Sequence, residues 1–519
     1  MIDSIIIDVH ACFAITVNGK SVLIKAYLCI LPPAFASYPQ SHCKALKASI
    51  YSAQINEGTG VNMTGLLLIL LIALETAFII FEALKKSSDK RTWTLRRLIV
   101  NAAQLVLFGI MLAFPGIDTS FRFTGLMILL AVRIVFAAVF AFAYRRNTDA
   151  KKTGRKVISL IVSVMLICGA MVPAFLFTDY EGRPVTGSYT VSQCNCILID
   201  ESRIETFEND GSKREVPAYF FAPAEAKDGE KFPLVVFSHG AFGYYQSNAS
   251  TYLELASNGY VVVSIEHPYH SFFTKDTSGK TIIVDRDFFN GCMNANGDMT
   301  EEKIYELSRS WMELRVADMD FAVDALIAGA DNNDTGCYWF ENDSSGKDVL
   351  DVLTHIDTDR IGLMGHSMGG ATAVEVGKIR DDIDAVIDID GTMLGNIKGV
   401  KDGKYIIDET PYTVPLFELM NADSYRELEE VSKIDYPYPN ITIRETAKVY
   451  YSTYFEGSLH MDYTDLPLFA PFLAKMLGSG DVDHAYMSDT VNSLEVSFFD
   501  CYLKGEGQFT VNEYYPGVN

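Results

Sequence analysis

The chain has 519 residues, 49% of them apolar, and a positive mean hydropathy of +0.13, which is too long for one ordinary domain and too apolar for a wholly soluble one. Residues 1–178 hold 18 Lys/Arg against 8 Asp/Glu, a balance of +10, and the remainder holds 25 against 58, or −33, so the net charge of −23 conceals two unlike halves. An acidic region of this size repels nucleic-acid phosphates, and the absence of paired CxxC motifs among the nine cysteines argues against a zinc finger.

Residues 1–62 are moderately apolar without a clean span, and Met63 stands directly before the first strongly apolar run, so the chain is expected to start either at Met1 or at Met63. Four apolar runs then follow, at about 64–84, 97–115, 123–144 and 157–178, each near the twenty residues that a helix needs to cross a bilayer. The loop after the first run carries Lys85, Lys86, Lys90, Arg91, Arg96 and Arg97, and the loop after the third carries Arg145, Arg146, Lys151, Lys152, Arg155 and Lys156. The positive-inside rule makes both loops cytoplasmic, and an even number of crossings leaves everything from about Asp179 extracytoplasmic. Glu75 and Arg133 interrupt the first and third runs at similar depth and are expected to pair across the bundle, in a structural role. The organisation expected is therefore an N-terminal extension (1–62), a four-helix transmembrane region (63–178) and a catalytic domain (179–519).

From Gly187 short β-rich runs alternate with helical patterns, the mark of a mostly parallel sheet flanked by helices. The expected strands are Val216–Phe221, Pro233–Ser238, Val261–Glu266, Ile361–Gly365, Ala385–Ile389, Pro415–Met420 and Val449–Phe455, and the expected helices Met312–Ala328, Met368–Ile379 and Val491–Leu503. Five cysteines lie in this part, Cys194, Cys196, Cys292, Cys337 and Cys501, and read as buried or free thiols.

Within it, Ile361-Gly362-Leu363-Met364 is a buried-strand run that ends at Gly365-His366-Ser367-Met368-Gly369, and Gly370-Ala371-Thr372-Ala373 begins a helix. Strand, G-x-S-x-G turn and helix together form a nucleophile elbow, in which a strained serine stands at a helix N-terminus and its neighbours must be small. The fold class expected is α/β, an α/β-hydrolase fold preceded by about four transmembrane helices, with Ser367 as nucleophile. The strand Val235–Ser238 runs into His239-Gly240-Ala241-Phe242-Gly243, where this fold places its second oxyanion donor. The backbone N–H groups of Met368 and Ala241 are the expected donors, with Phe242 the alternative.

Acid and histidine follow the serine in this fold, which removes every histidine before Ser367 and leaves His460 and His484. His460 lies in a loop after a β-rich run and is preferred as the base, whereas His484, in an acidic stretch, reads as surface. For the acid, Asp390 at the end of Ala385–Ile389 and Asp423 after the next strand both stand where enzymes of this fold carry one, and the residues alone leave both open.

At Thr186–Val191, Asp200–Arg203, Phe237–Gly240, Asp357–Thr372 and Gly457–His460 the sequence resembles the plasma-type platelet-activating factor acetylhydrolases and the related dienelactone-hydrolase-like esterases, over most of 186–505. The resemblance implies Asp390 rather than Asp423 as the acid, because the family's acid follows the strand after the nucleophile helix. It also implies His460 as the base. It fails at Phe272–Ser308 and Ser424–Glu445, and the membrane helices are an addition to the usual secreted enzyme.

The expected activity is hydrolysis of carboxylic esters, of short-chain acyl or phospholipid type, through a Ser-His-Asp triad and an acyl-enzyme, with no cofactor or metal. The expected partners are a small or lipid ester and the bilayer. Phe272, Phe273, Phe288 and Phe289 are expected either to line or cover an acyl pocket or to pack in the core. Two rival readings are a peptidase or amidase on the same scaffold and a catalytically silent membrane sensor.

Overall fold

The computed structural model describes residues 10–17, 20–27, 62–85, 89–114, 116–149, 153–180, 182–295, 299–434 and 436–518. Its contacts divide the chain into two compact units, 1–170 and 171–519. Most of residues 1–62 lie outside the described residues, including those that bear on a start at Met63; the part described is an antiparallel hairpin of β1 (His10–Val17) and β2 (Lys20–Tyr27).

Four helices follow the hairpin: α1 (Met63–Leu84), α2 (Lys90–Met111), α3 (Phe121–Ala143) and α4 (Thr153–Leu176), all long and apolar enough to cross a membrane. Asn62, Asp89 and Ser120 cap the first three through their side chains. Ile80, Ile99, Val106, Val135, Phe136 and Ile158 are each more than half exposed.

Inside this unit the charges are more numerous than the sequence suggested. Arg133 does reach Glu75, but Arg97 Nη1 also binds Glu75 Oε2 at 2.6 Å, Gln104 Nε2 donates to Glu75 Oε1 at 3.0 Å, and Arg97 Nη2 meets Ser163. A second carboxylate, Glu82, is held by Arg96 at 2.7 Å and Lys156 at 3.5 Å. The expectation that Lys90, Arg91, Arg96 and Arg97 lie in a loop is therefore corrected, because they form the first two turns of α2. The expectation of a single Glu75–Arg133 pair is corrected with it. Both acids are completely buried, and a carboxylate in an apolar bundle persists only where cations meet it; this is why α2 begins with charges instead of hydrophobes.

The second unit is built on a ten-stranded sheet in the order β16-β15-β14-β11-β10-β5-β6-β4-β3-β9. Its strands are β3 (Val191–Ile204), β4 (Lys213–Pro223), β5 (Phe232–Ser238), β6 (Val261–Ile265), β9 (Tyr338–Trp339), β10 (Ile356–His366), β11 (Ala385–Ile389), β14 (Leu416–Asn421), β15 (Tyr450–Phe455) and β16 (Tyr514–Tyr515). From β6 to β16 all neighbours are parallel, and β4, β3 and β9 add antiparallel pairs. Every residue of β5, β6, β11 and β14 is buried, the consequence of helices on both faces of a parallel sheet.

One face packs on α7 (Glu301–Asn332), α8 (Asp343–Thr354) and α9 (Met368–Ile379) through Met319, Val323, Leu326, Val349, Val352 and Val374. The other packs on α5 (Ala249–Ser257) and α12 (His484–Phe499) through Tyr252, Leu255, Leu494, Phe498 and Phe499. The chain also forms the hairpins β7–β8 (Phe273–Lys275, Thr281–Ile283) and β12–β13 (Ile397–Lys401, Lys404–Ile407) and the helices α6 (Arg286–Ala295), α10 (Ala422–Val431) and α11 (Pro439–Thr446). Cys194, Cys196, Cys292, Cys337 and Cys501 are free thiols.

Candidate active site

Ser367 stands between the end of β10 and the start of α9 with φ 57° and ψ −124°, a conformation that non-glycine residues rarely adopt. The glycines around it are dictated by packing. A Cβ on Gly369 would lie 1.9 Å from the carbonyl oxygen of Ser238, and one on Gly365 would lie 2.3 Å from the backbone of Gly369. The turn is further fixed by the Ser367 N–H, which donates to Ile389 O at 2.7 Å.

Asp390 follows β11 with φ 56°, and its N–H donates to Leu419 O at 2.6 Å. Its carboxylate accepts three N–H groups: His460 Nδ1 at 2.5 Å, Asn421 N at 2.7 Å and Asn421 Nδ2 at 2.8 Å. His460 comes from the loop after β15, so residues from two strand ends converge across the end of β14, which supplies Asn421. The ring of His460 lies 4.6 Å from that of His366, and His366 Nε2 donates to His460 O at 3.2 Å. Among the described residues no hydrogen bond joins Ser367 Oγ to His460. Such contacts in ligand-free sites are often long and tighten when substrate arrives.

The electrostatics separate three neighbouring acids. Burial pushes the Asp390 carboxyl up, but His460 and the Asn421 donors outweigh it and hold Asp390 below the usual carboxylate range. Asp388 is raised well above that range by burial and by Glu418, and burial pushes Glu418 itself up to about 7. Of the three, Asp390 is thus the one that favours its charged form. Burial opposes a charge on His460, yet the bond and charge of Asp390 raise it above the ordinary histidine value, whereas burial and His460 lower His366 to about 3.

The alternatives lie elsewhere. Asp423 has a side chain 74% exposed and pairs with Arg426 at 3.4 Å. His484, at the start of α12, is not the surface residue that its acidic surroundings suggested: its side chain is 23% exposed and its Nδ1 lies 3.3 Å from Asp462. The Phe242 N–H is taken by His270 O at 3.2 Å, whereas the N–H groups of Ala241 and Met368 donate to no acceptor among the described residues. A Cβ on Gly240 would sit 3.2 Å from Cβ of Ser367, so the loop after β5 abuts Ser367.

The four phenylalanines divide. Phe288 is buried, stacked on His270 at 3.7 Å and against Trp311 at 5.5 Å, and Phe289 lies 4.9 Å from Phe242. Phe272 and Phe273 are 60% and 44% exposed. Two residues that contact this site escaped sequence reasoning. Asn421 occupies a position two residues before the rejected Asp423, and Arg315 stands between Leu314 and Val316 in α7, a helix that also carries Arg309 and several acids, so local sequence did not single it out.

The family model for platelet-activating factor acetylhydrolase, isoform II, matches residues 206–513, more than half of the chain. The chain belongs to that family. The platelet-activating factor acetylhydrolase of Cavia porcellus is 23% identical over 303 residues, covering 56% of this chain and 61% of that protein. That of Canis lupus familiaris is 25% identical over 306 residues, covering 55% and 60%. The chain thus spans about three fifths of these acetylhydrolases. A bis(hydroxyethyl) terephthalate hydrolase of Streptomyces coelicolor is 32% identical over 93 residues, 16% of this chain and 28% of its own. The four long apolar helices of this chain lie ahead of the matched region.

Proposed function

We propose that this chain is a serine hydrolase of carboxylic esters, of short-chain acyl or phospholipid type, held at a membrane by its N-terminal helices. The observation that carries the reading is the convergence at three strand ends: a serine at positive φ between β10 and α9, an acid after β11, and a histidine from the loop after β15 bonded to that acid at 2.5 Å. Family membership and the names of the acetylhydrolase relatives support ester cleavage as the reaction.

In this mechanism His460 Nε2 takes the proton of Ser367 Oγ as the oxygen attacks the ester carbonyl, and Asp390 holds the Nδ1–H tautomer and stabilises the imidazolium. The oxyanion meets the N–H groups of Met368 and Ala241. Collapse breaks the bond to the alcohol, which leaves with the proton from His460; a water deprotonated by His460 then attacks the acyl-enzyme, and Ser367 recovers its proton as the acid departs. The basic residues flanking the helices support, by the positive-inside rule, an extracytoplasmic side for residues 179–519, the side on which outer-leaflet lipid esters are found.

The test is a chain-length series of nitrophenyl esters and short-chain phospholipids on the full chain in detergent, alongside amide analogues. Rapid turnover of short acyl esters is expected. Cleavage of amides with no ester turnover would establish the peptidase alternative, and no turnover of either class would favour a sensor.

A further inference from the structure

Arg315, in the middle of α7, is completely buried and forms no ion pair among the described residues. Its neighbour Asp318 is already engaged by Arg214 at 2.6 Å, Arg203 at 2.8 Å and His267 at 3.0 Å. Burying a cation without a carboxylate is costly, so what the guanidinium does touch matters. Its Nη1 donates to His239 O at 2.5 Å, its Nη2 to Gly240 O at 3.3 Å and its Nε to His270 Nδ1 at 3.4 Å. Two of these acceptors are backbone carbonyls of the loop that abuts Ser367.

Gly240 O also accepts the Nδ1–H of His239 at 2.6 Å and the N–H of Gly243 at 3.0 Å. That carbonyl belongs to the same peptide unit as the N–H of Ala241. Three donors on the oxygen, one of them a cation, draw electron density across the amide and leave its N–H a stronger donor, the cooperative polarisation expected in a water-free interior. The loop also holds Phe242 at φ 59°, a strained conformation that persists only where its surroundings enforce it.

We propose that Arg315 is a positioning residue of the oxyanion hole, which fixes the Gly240–Ala241 peptide and polarises it toward the charge that develops on the substrate carbonyl. This rests on the reading of Ser367 as nucleophile and Ala241 as a donor. Burial lowers Arg315 to about 9, which leaves it charged at neutral pH, and burial together with the Arg315 charge depresses His239 and His270 well below the ordinary histidine value. Arg315 is therefore the fixed positive charge against this loop.

The test uses the full chain in detergent with Arg315→Met and Arg315→Lys. The readouts are kcat and KM on a short-chain nitrophenyl ester, inhibition by a trifluoromethyl ketone that forms a tetrahedral oxyanion on serine, and thermal unfolding. Loss of a whole oxyanion donor costs about 100- to 1,000-fold, so weakening one should lower kcat of the Met variant about 10- to 100-fold. KM should stay within about threefold and the ketone inhibition constant should rise in step with the fall in kcat/KM, because only tetrahedral species use the polarised N–H. Lysine, which keeps the charge, should recover most of the loss.

A folded Met variant with unchanged kcat, or equal losses in the Lys and Met variants, overturns the proposal. If the Met variant does not fold, Arg315→Gln, which keeps hydrogen-bond donors but removes the charge, takes its place: its ketone affinity should fall with kcat while KM holds, and unchanged ketone affinity in a folded Gln variant overturns the proposal. Ser367→Ala separates this inference from the one beneath it. An active Ser367→Ala enzyme removes the nucleophile assignment, whereas an inactive one beside fully active Arg315 variants removes only the role of Arg315.

Discussion

Replacing Asn421 by Ala removes a support of Asp390 that lies outside the proposed triad. The Asp390 side chain is only 2% exposed and accepts Asn421 Nδ2 at 2.8 Å beside Asn421 N and His460. A hydrogen bond to a buried charge contributes about 1.5–3 kcal/mol. Asn421 also caps α10 by accepting from Asp423 N and Ser424 N, both at 2.9 Å, a role that contributes about 1 kcal/mol. Asn421→Ala should therefore lose about 2.5–4 kcal/mol of stability, of which the part on ionised Asp390 also weakens its hold on His460. At 1.4 kcal/mol per tenfold, kcat/KM should fall roughly 10- to 100-fold. Asn421→Asp separates the two roles, because it keeps the cap and sets a second carboxylate against the first. Urea unfolding and ester kinetics on both variants are the assay. If Asn421→Ala loses stability while both variants keep kcat/KM within twofold, Asn421 is only a helix cap and the reasoning fails.

Other outcomes follow from the same contacts. Since Asp390 raises His460 and the proposed mechanism uses the neutral imidazole as base, kcat/KM should be lost as pH falls through a value above the ordinary histidine pKa near 6.5, and Asp390→Asn should move that limb to lower pH while lowering the rate; a pH–rate profile with its acid limb below 6.5 in the native protein would contradict the shift. Gly369→Ala places a methyl 1.9 Å from Ser238 O, so circular dichroism and expression should show a chain that fails to fold or loses more than about 4 kcal/mol. Arg133→Leu leaves Glu75 bonded to Arg97 at 2.6 Å, so ester turnover in detergent should persist, whereas Glu75→Leu strands two arginines and should lower the yield of folded protein more; equal yields would argue against the charge network.

The sheet was readable where its strands are continuously apolar. The expected Ala385–Ile389 and Met368–Ile379 coincide with β11 and α9, because a buried parallel strand and a closely packed helix each tolerate few polar residues. β3 was not found as a strand: its 14 residues include Gln193, Asn195, Glu201 and Arg203, and antiparallel pairing to β4 with one exposed face lets those polar residues in. The start of α2 was hidden for a related reason. Arg96 and Arg97 read as loop charges until Glu82 and Glu75 on α1 are seen to hold them. At the candidate site, the order of residues along the chain pointed to Ser367 and His460 but could not separate Asp390 from Asp423, since both follow strands. What distinguishes them is exposure and the approach of Asn421 from β14, which depend on sheet order and not on local sequence.

The central claim is that Ser367 attacks the ester. The direct measurement is mass-spectrometric mapping of the residue labelled by a fluorophosphonate on the full chain in detergent, with ester turnover followed in parallel for the native protein and for Ser367→Ala. Modification of Ser367 alone, with label and turnover both absent from Ser367→Ala, is the expected result. A label on another residue, or turnover that survives in Ser367→Ala, would contradict the account.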